Sequence, residues 1–335
     1  MTFFKKDNFL RDSLIGSLVC IILVIFFHIF PNPGIHDIIQ KTFILGLFAL
    51  SLNILIGYLG LIAFGHAAFF ASGAYTLGLF LQSNCVTYLG SFSVPVAITL
   101  AIFVSGILAA AIGSICIRLK DIYFSFLTLA FSMLIHSIIT ALVDITGGDQ
   151  GLMGGFSKPP FLGIDLSEKF DFYTFTIVIS TITIVLLRQL LESPFGYGLR
   201  MIRDNSERPA ALGFNSKNHK LIAFVIAGSI AGLAGSLQAL LDVGAYPEWA
   251  YWSKSAEPLF MILLGGMHSF LGPLMGSFIF EILNDYTTAK FERYSALILG
   301  LVILSFVLGF KKGLLDWIII ISNFYKKKYF KYVKN

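Results

Sequence analysis

Charge is what this sequence has least of. Only 13 % of its 335 residues are Asp, Glu, Lys or Arg, about half the share usual in a soluble domain. Hydrophobic residues make up 56 % and the mean hydropathy is +0.82, which excludes an ordinary water-soluble fold. Cysteine is scarce: Cys20, Cys85 and Cys116, two of them inside apolar stretches, offer neither a disulfide framework nor a metal cluster. A G-x-x-x-x-G-K-S/T phosphate loop is missing, so this chain does not hydrolyse ATP by that route. Paired carboxylates, a nucleophile elbow and metal-ligand spacings are missing too, so an enzyme reading has no residues to assign and no cofactor is called for. Nor does a cluster of carboxylates lie within an apolar span; Asp242 and Glu281 sit near span ends, far apart in sequence. An ion-coupled carrier therefore lacks its coupling residue. The net charge of +5 is spread over loops and the tail, which argues against nucleic acid as a partner.

What is present is a succession of apolar stretches of roughly twenty residues, each long enough to cross about 30 Å of hydrocarbon. They run Leu14–Phe30, Ile38–Ile56, Ile62–Leu81, Val94–Ile117, Ile122–Val143, Phe172–Leu191 and Leu221–Leu241. Two shorter pieces, Glu257–Leu264 and Leu271–Leu283, flank Gly265-Gly266-Met267-His268-Ser269, and Tyr294–Phe310 closes the series. The first stretch follows Lys5, Lys6 and Arg11 but is followed by Pro31-Asn32-Pro33-Gly34, without a small-x-small cleavage site, so it reads as a retained span. The expected fold is an all-α polytopic membrane protein in the lipid bilayer, with about ten transmembrane helices, some broken at Gly-rich segments.

Loop charge sets the orientation. The tail 311–335 carries seven lysines against Asp316, and the 193–220 interval carries Arg200, Arg203, Arg208, Lys217 and Lys220 against Asp204 and Glu207. Both are expected on the cytoplasmic side. The interval Asp144–Asp171 is acidic and belongs outside. These signs alternate consistently with an even span count and both termini in the cytoplasm.

Two glycine-interrupted regions stand out: LNILIGYLGLIAFGHAAFFASGAYT over Leu52–Thr76 and FMILLGGMHSFLGPLMGSF over Phe260–Phe278. Paired breaks of this kind often mark a transport pathway, because irregular backbone at membrane depth must be satisfied by protein or water. Gly57, Gly60, Gly65, His66, Gly265, Gly266 and His268 are the candidate pathway residues. Close helix packing through small residues explains the same glycines, and helix-to-helix hydrogen bonding explains the two histidines; His136 has the latter reading alone. In the acidic loop, Thr146, Gly147, Gly148 and Asp149 form a gate, a contact for a soluble partner, or a plain turn.

The longest polar interval is Ser193–Lys220. It reads as a Ser-Pro-Phe-Gly turn, a basic segment, and a short helix that Asp204, Asn205 or Ser206 caps and Gly213 ends. Pro209 fits a first turn. Such a helix is either a docking surface or part of a solvated loop.

LNILIGYLGLIAFGHAAFFASGAY, YFSFLTLAF (Tyr123–Phe131), TGGDQGL, SPFGYGLRMIRDN, ALGFN with KLIAFVIAGSIAGLAGSL, and LLGGMHSFLGPLMGS together resemble the permease subunits of branched-chain amino acid ABC importers. The resemblance runs in order from about Leu45 to Phe310; urea and short-chain amide permeases look similar. It implies one permease domain over 1–335 in a bacterial inner membrane, with a cytoplasmic coupling loop at 192–220 and a basic tail at 311–335. The implied partners are a homologous second permease, two cytoplasmic ATP-binding subunits that do the hydrolysis, and a periplasmic substrate-binding protein. It also implies that Glu207, Arg208, Ala210, Ala211 and Gly213 dock onto the ATPase. Two positions depart from the family's pattern: Pro209 stands where alanine is usual, and Asp149-Gln150 replaces a commoner Pro-Asn.

Overall fold

In a computed structural model, residues 6–29, 32–119, 121–152, 156–161, 163–205 and 215–309 are described. They form helices, with no strand pairing beyond an isolated Phe161–Ile164 bridge. In chain order the helices are α1 Lys6–Ile29, α2 Pro33–Asn53, α3 Ala67–Gln82, α4 Cys85–Leu89, α5 Ser93–Cys116, α6 Asp121–Ala141 and α7 Val143–Thr146. They continue with α8 Lys169–Glu192, α9 Pro194–Asp204, α10 Ser216–Asp242, α11 Trp252–Gly265, α12 Gly272–Lys290 and α13 Ser295–Gly309.

This is an all-α membrane protein. Among the described residues, five helical stretches are long and apolar enough to cross a bilayer: Pro33–Leu59, Cys85–Cys116, Ile122–Ala141, Lys169–Glu192 and Ser216–Asp242. Leu14–Phe27, Ala67–Gln82 and Ser295–Phe306 are shorter apolar helices. The expected tenfold count is thus not reproduced span for span. The stretch read as Ile62–Leu81 becomes helical only from Ala67, and α11 has 14 residues, about 21 Å of helix against about 30 Å of hydrocarbon.

Helix α2 is the axis of the bundle. Its N-cap, Asn32, accepts from Gly34 N, and Pro33 occupies the first turn, where no intrahelical donor is required. From Thr42 onward every residue of α2 is buried. Helix α10 packs most extensively on α5 and α3, and α12 on α11 and α2. Small residues set these approaches: a Cβ on Gly73 would overlap Gly232 backbone, and one on Gly235 would overlap the Phe70 carbonyl. In an apolar solvent, where burial itself drives little association, such close backbone packing is the main source of helix affinity. The outward faces of α5 and α6 present Phe103, Ile107, Tyr123, Phe126 and Leu134 to the surroundings, as lipid or a second chain requires.

Candidate functional site

Helix α2 does not end in a plain cap. Its last turn widens into a π-helical turn, Ile54–Leu59, which Gly60 closes in the left-handed region at φ 77°. π-turns leave backbone groups offset from the regular ladder and often mark functional breaks. Residues 60–66 then run without regular helix until α3 begins behind His66. This places Gly57, Gly60, Gly65 and His66 at one interruption of the bundle, where the sequence located a break.

The second interrupted region meets the first. The turn between α11 and α12 puts the Met267 carbonyl oxygen 2.7 Å from where a Gly57 Cβ would stand. Gly265 lies against the Gly272 carbonyl, closing α11 and α12 into a tight hairpin, and Gly266 takes φ 114°, a conformation that suits glycine. Gly65 has no room either, since a Cβ there would overlap the Thr128 carbonyl of α6. These glycines are therefore backbone-to-backbone contacts first. Whether a substrate passes beside them is a separate question.

The two histidines part company. His66 is fully buried, with Nε2 2.8 Å from Ser51 Oγ and its ring stacked on Phe48. Its Nδ1 has no hydrogen-bond partner. His268 is exposed on the α11–α12 turn. His136 lies half-buried against the Tyr251 ring.

The polar interval contains more helix than its sequence suggests. Ser193 to Asp204, read as a turn and a basic segment, is helix α9: the Ser193 hydroxyl accepts from Phe195 N at 3.2 Å and Pro194 fills the first turn. Gly196, Gly198, Leu199 and Ile202 form its buried face. Arg200 donates to the Leu191 carbonyl at 2.9 Å, pinning α9 to the end of α8, and its guanidinium rests over the Tyr58 and Tyr197 rings. Arg203 reaches further: Nη1 donates to the Gly57 carbonyl oxygen at 2.5 Å. The same guanidinium holds Asp204 Oδ1 through Nε and Nη2 at 3.2 and 3.1 Å. A Cβ on Gly60 would meet Arg203 Cγ at 2.8 Å, so the bare backbone of Gly60 makes room for the arginine. A carbonyl of the π-turn is thus bonded from the basic helix. Glu207, Arg208, Ala210, Ala211 and Gly213, with the helix expected there, lie outside the described residues.

At the opposite end of the bundle, the Thr146 hydroxyl faces the Ile139 and Leu142 carbonyls at 2.5 and 2.8 Å. Gly147, Gly148 and Gly151 follow at φ 77°, 60° and 69°. Leu152 N donates to the Ala245 carbonyl at 2.8 Å, stitching this loop onto the segment behind α10. Asp149 is exposed at its tip.

One carboxylate that the sequence puts near a span end is buried within a helix instead. Glu281, 5 % exposed, lies midway along α12, and its charged neighbours are Lys41, Lys254, Glu257 and Asp285. Among the described residues no cluster of His, Cys, Asp and Glu could hold a metal ion.

Residues 34–307 match the family described as "Branched-chain amino acid transport system / permease component". The chain is 26 % identical to the high-affinity branched-chain amino acid transport system permease protein LivM of Escherichia coli K12, over 92 % of this chain and 78 % of that protein. It is 27 % identical to the LivM protein of Salmonella typhimurium LT2, covering 85 % and 70 % of the two chains. A probable LivM protein of Methanocaldococcus jannaschii is 27 % identical over 70 % of this chain and 76 % of its own length. No solved structure matches. With four-fifths of its length matched to that family, the chain belongs to the branched-chain amino acid transport permeases.

Proposed function

We propose that the chain is the inner-membrane permease subunit of an ATP-driven importer for leucine, isoleucine and valine. A periplasmic binding protein delivers substrate to the acidic loop face. A homologous permease completes the pathway, and two cytoplasmic ATP-binding subunits engage the 192–220 interval. In this reading α1, α2, α3, α5, α6, α8, α10, α11, α12 and α13 are the ten crossings, with both termini inside. Under this reading α11 is a broken crossing that reaches the interior turn.

One observation carries the mechanism. The helix that leads into the docking interval is bonded directly to the break in the central helix, through Arg203 and Gly57. ATP-driven closure of the partner subunits would move α9 as a unit with the α8 terminus. It would pull on the Gly57 carbonyl of the π-turn. A packed bundle responds to such a displacement by switching between discrete arrangements rather than deforming smoothly. The permease would alternate between outward and inward states around the Gly57–Met267 contact.

The test is uptake of labelled leucine by cells expressing the chain with its partner subunits. Uptake should persist when ion gradients are collapsed and cease when ATP is depleted, with isoleucine and valine competing. Competition by urea or short-chain amides instead would transfer the substrate assignment to those compounds. Loss of uptake with the ion gradient alone would overturn the ATP-driven reading and point to Glu281 as a coupling carboxylate.

A further inference from the structure

At the end of the bundle opposite α9, the first turns of α2 and α8, the end of α10 and the 156–161 segment enclose a cavity of about 580 Å³. Clefts that hold small ligands run from about 300 to 1,000 Å³. Its charges balance: Lys41, Lys158 and Lys169 against Asp37, Glu168 and Asp242. An anion site would carry an excess of lysine, and a cation site an excess of carboxylate. Lys158 and Asp242 act on each other electrostatically, yet among the described residues no carboxylate stands within ion-pair distance of the Lys158 ammonium. That ammonium is half-buried over the Phe172 ring, 4.3 Å from its centroid. Burial holds it below the usual lysine range, and Asp242 opposes the shift. Asp242 is itself oriented by Gln238 Nε2, which donates to Oδ2 at 2.7 Å.

The rest of the wall is apolar or aromatic. Phe27, Phe172, Tyr173 and Leu241 line it, and the Phe27 ring stacks on His36 at 3.9 Å between centroids. His36 is 7 % exposed and its Nε2 has no hydrogen-bond partner, which in a buried polar group calls for an explanation.

We propose that this cavity binds a small zwitterion bearing an apolar side chain, its carboxylate on Lys158, its ammonium on Asp242 and its side chain against Phe27 and Phe172. Opposite charges that share one cavity but stand further apart than an ion pair can be bridged by a molecule that carries both charges. An ammonium alone would leave the half-buried Lys158 charge unpaired, and a carboxylate alone would forgo the contact with the exposed Asp242. This is a binding site of the permease chain itself, separate from the break at Gly57. It does not rest on the transport reading given above.

The test is equilibrium binding to the purified full-length permease in detergent, without binding protein, ATP-binding subunits or ATP. Three probes share one side chain: leucine, 3-methylbutylamine (no carboxylate) and 4-methylpentanoate (no ammonium). Leucine is expected to bind saturably, and each single-charge analogue to bind about tenfold more weakly or worse, the loss expected for one charge-assisted contact. Lys158→Met should weaken leucine by about the same factor. Should Lys158→Met fail to fold, the three-probe comparison on the unaltered protein still decides. Binding of either analogue as tightly as leucine would overturn the zwitterion assignment. No saturable leucine binding into the millimolar range, or leucine binding unchanged by Lys158→Met in a folded protein, would overturn the site. None of these outcomes reads ATP-driven uptake, so the site and the importer reading fail separately.

Discussion

Arg203 and Gly57, 146 residues apart, share a hydrogen bond that joins an amphipathic surface helix to the π-turn of the buried central helix. The arginine is 34 % exposed and has Asp204 as its second partner, so its charge stays solvated while one donor is spent on the backbone. Arg203→Ala should leave insertion and abundance intact and reduce uptake by about tenfold or more, the equivalent of one charged hydrogen bond. Arg203→Lys should recover only part of it, since an ammonium cannot hold the carboxylate and the carbonyl in one planar fork. Uptake and ATPase stimulation measured on both variants check this. Normal coupling in Arg203→Ala would reduce the bond to a structural tie.

How much of this arrangement was legible differs from residue to residue. The apolar runs of α2, α5, α8 and α10 announced themselves, because lipid demands long uncharged helices. The stretch that forms α9 reads in sequence as a turn and a basic segment, although Ser193-Pro194 is a regular helix start. Gly196 and Gly198, poor helix formers, hide it, and only packing on the α8 terminus makes the missing side chain of Gly196 an advantage. Glu281 was placed near a span end because the apolar run stops at Leu283; α12 in fact continues to Lys290 and leaves the carboxylate in its middle. His66 and His268 look equivalent in sequence and are not, since burial is decided by partners from elsewhere in the chain. The Arg203–Gly57 bond has no local signal at all.

Gly65 and Gly300 make a matched pair for packing. A methyl group on Gly65 would strike the Thr128 carbonyl, whereas one on Gly300 meets nothing within 4 Å. Gly65→Ala should therefore destabilise the protein by about 1–3 kcal/mol, as overpacking does. Gly300→Ala should be neutral or stabilise α13 by up to about 1 kcal/mol through helix propensity. Thermal unfolding in detergent separates them. Equal midpoints would mean that the 60–66 segment and α6 do not approach as closely as described.

Thiol labelling addresses orientation. Cys85 is exposed beyond α3, Cys116 is buried, and Cys20 is half-buried with its thiol 3.4 Å from Thr181 Oγ1. A membrane-impermeant maleimide applied to intact cells should modify Cys85 and spare Cys116, with Cys20 slow at best. Labelling of Cys85 only after the cytoplasmic side is opened would invert the topology and move α9 outside, away from any ATPase.

The acidic loop offers a way to tell architecture from contact. Gly151 sits at φ 69° with its α-carbon against the Ala245 carbonyl, so Gly151→Ala meets both an unfavourable backbone region and a backbone atom. Left-handed backbone costs a residue with a side chain about 1 kcal/mol or more, and the collision adds to that. This variant should lower the unfolding midpoint and loosen the Leu152–Ala245 stitch. Asp149, at the exposed tip, makes no such structural contact, so Asp149→Lys should leave the midpoint where it was. If the tip meets a soluble binding protein, reversing its charge should slow productive encounter, an effect that weakens as salt screens it. Uptake by Asp149→Lys should then fall when binding protein is limiting and recover when it is in excess. Unchanged uptake at limiting binding protein and low ionic strength would make the loop a connector whose glycines serve the fold alone.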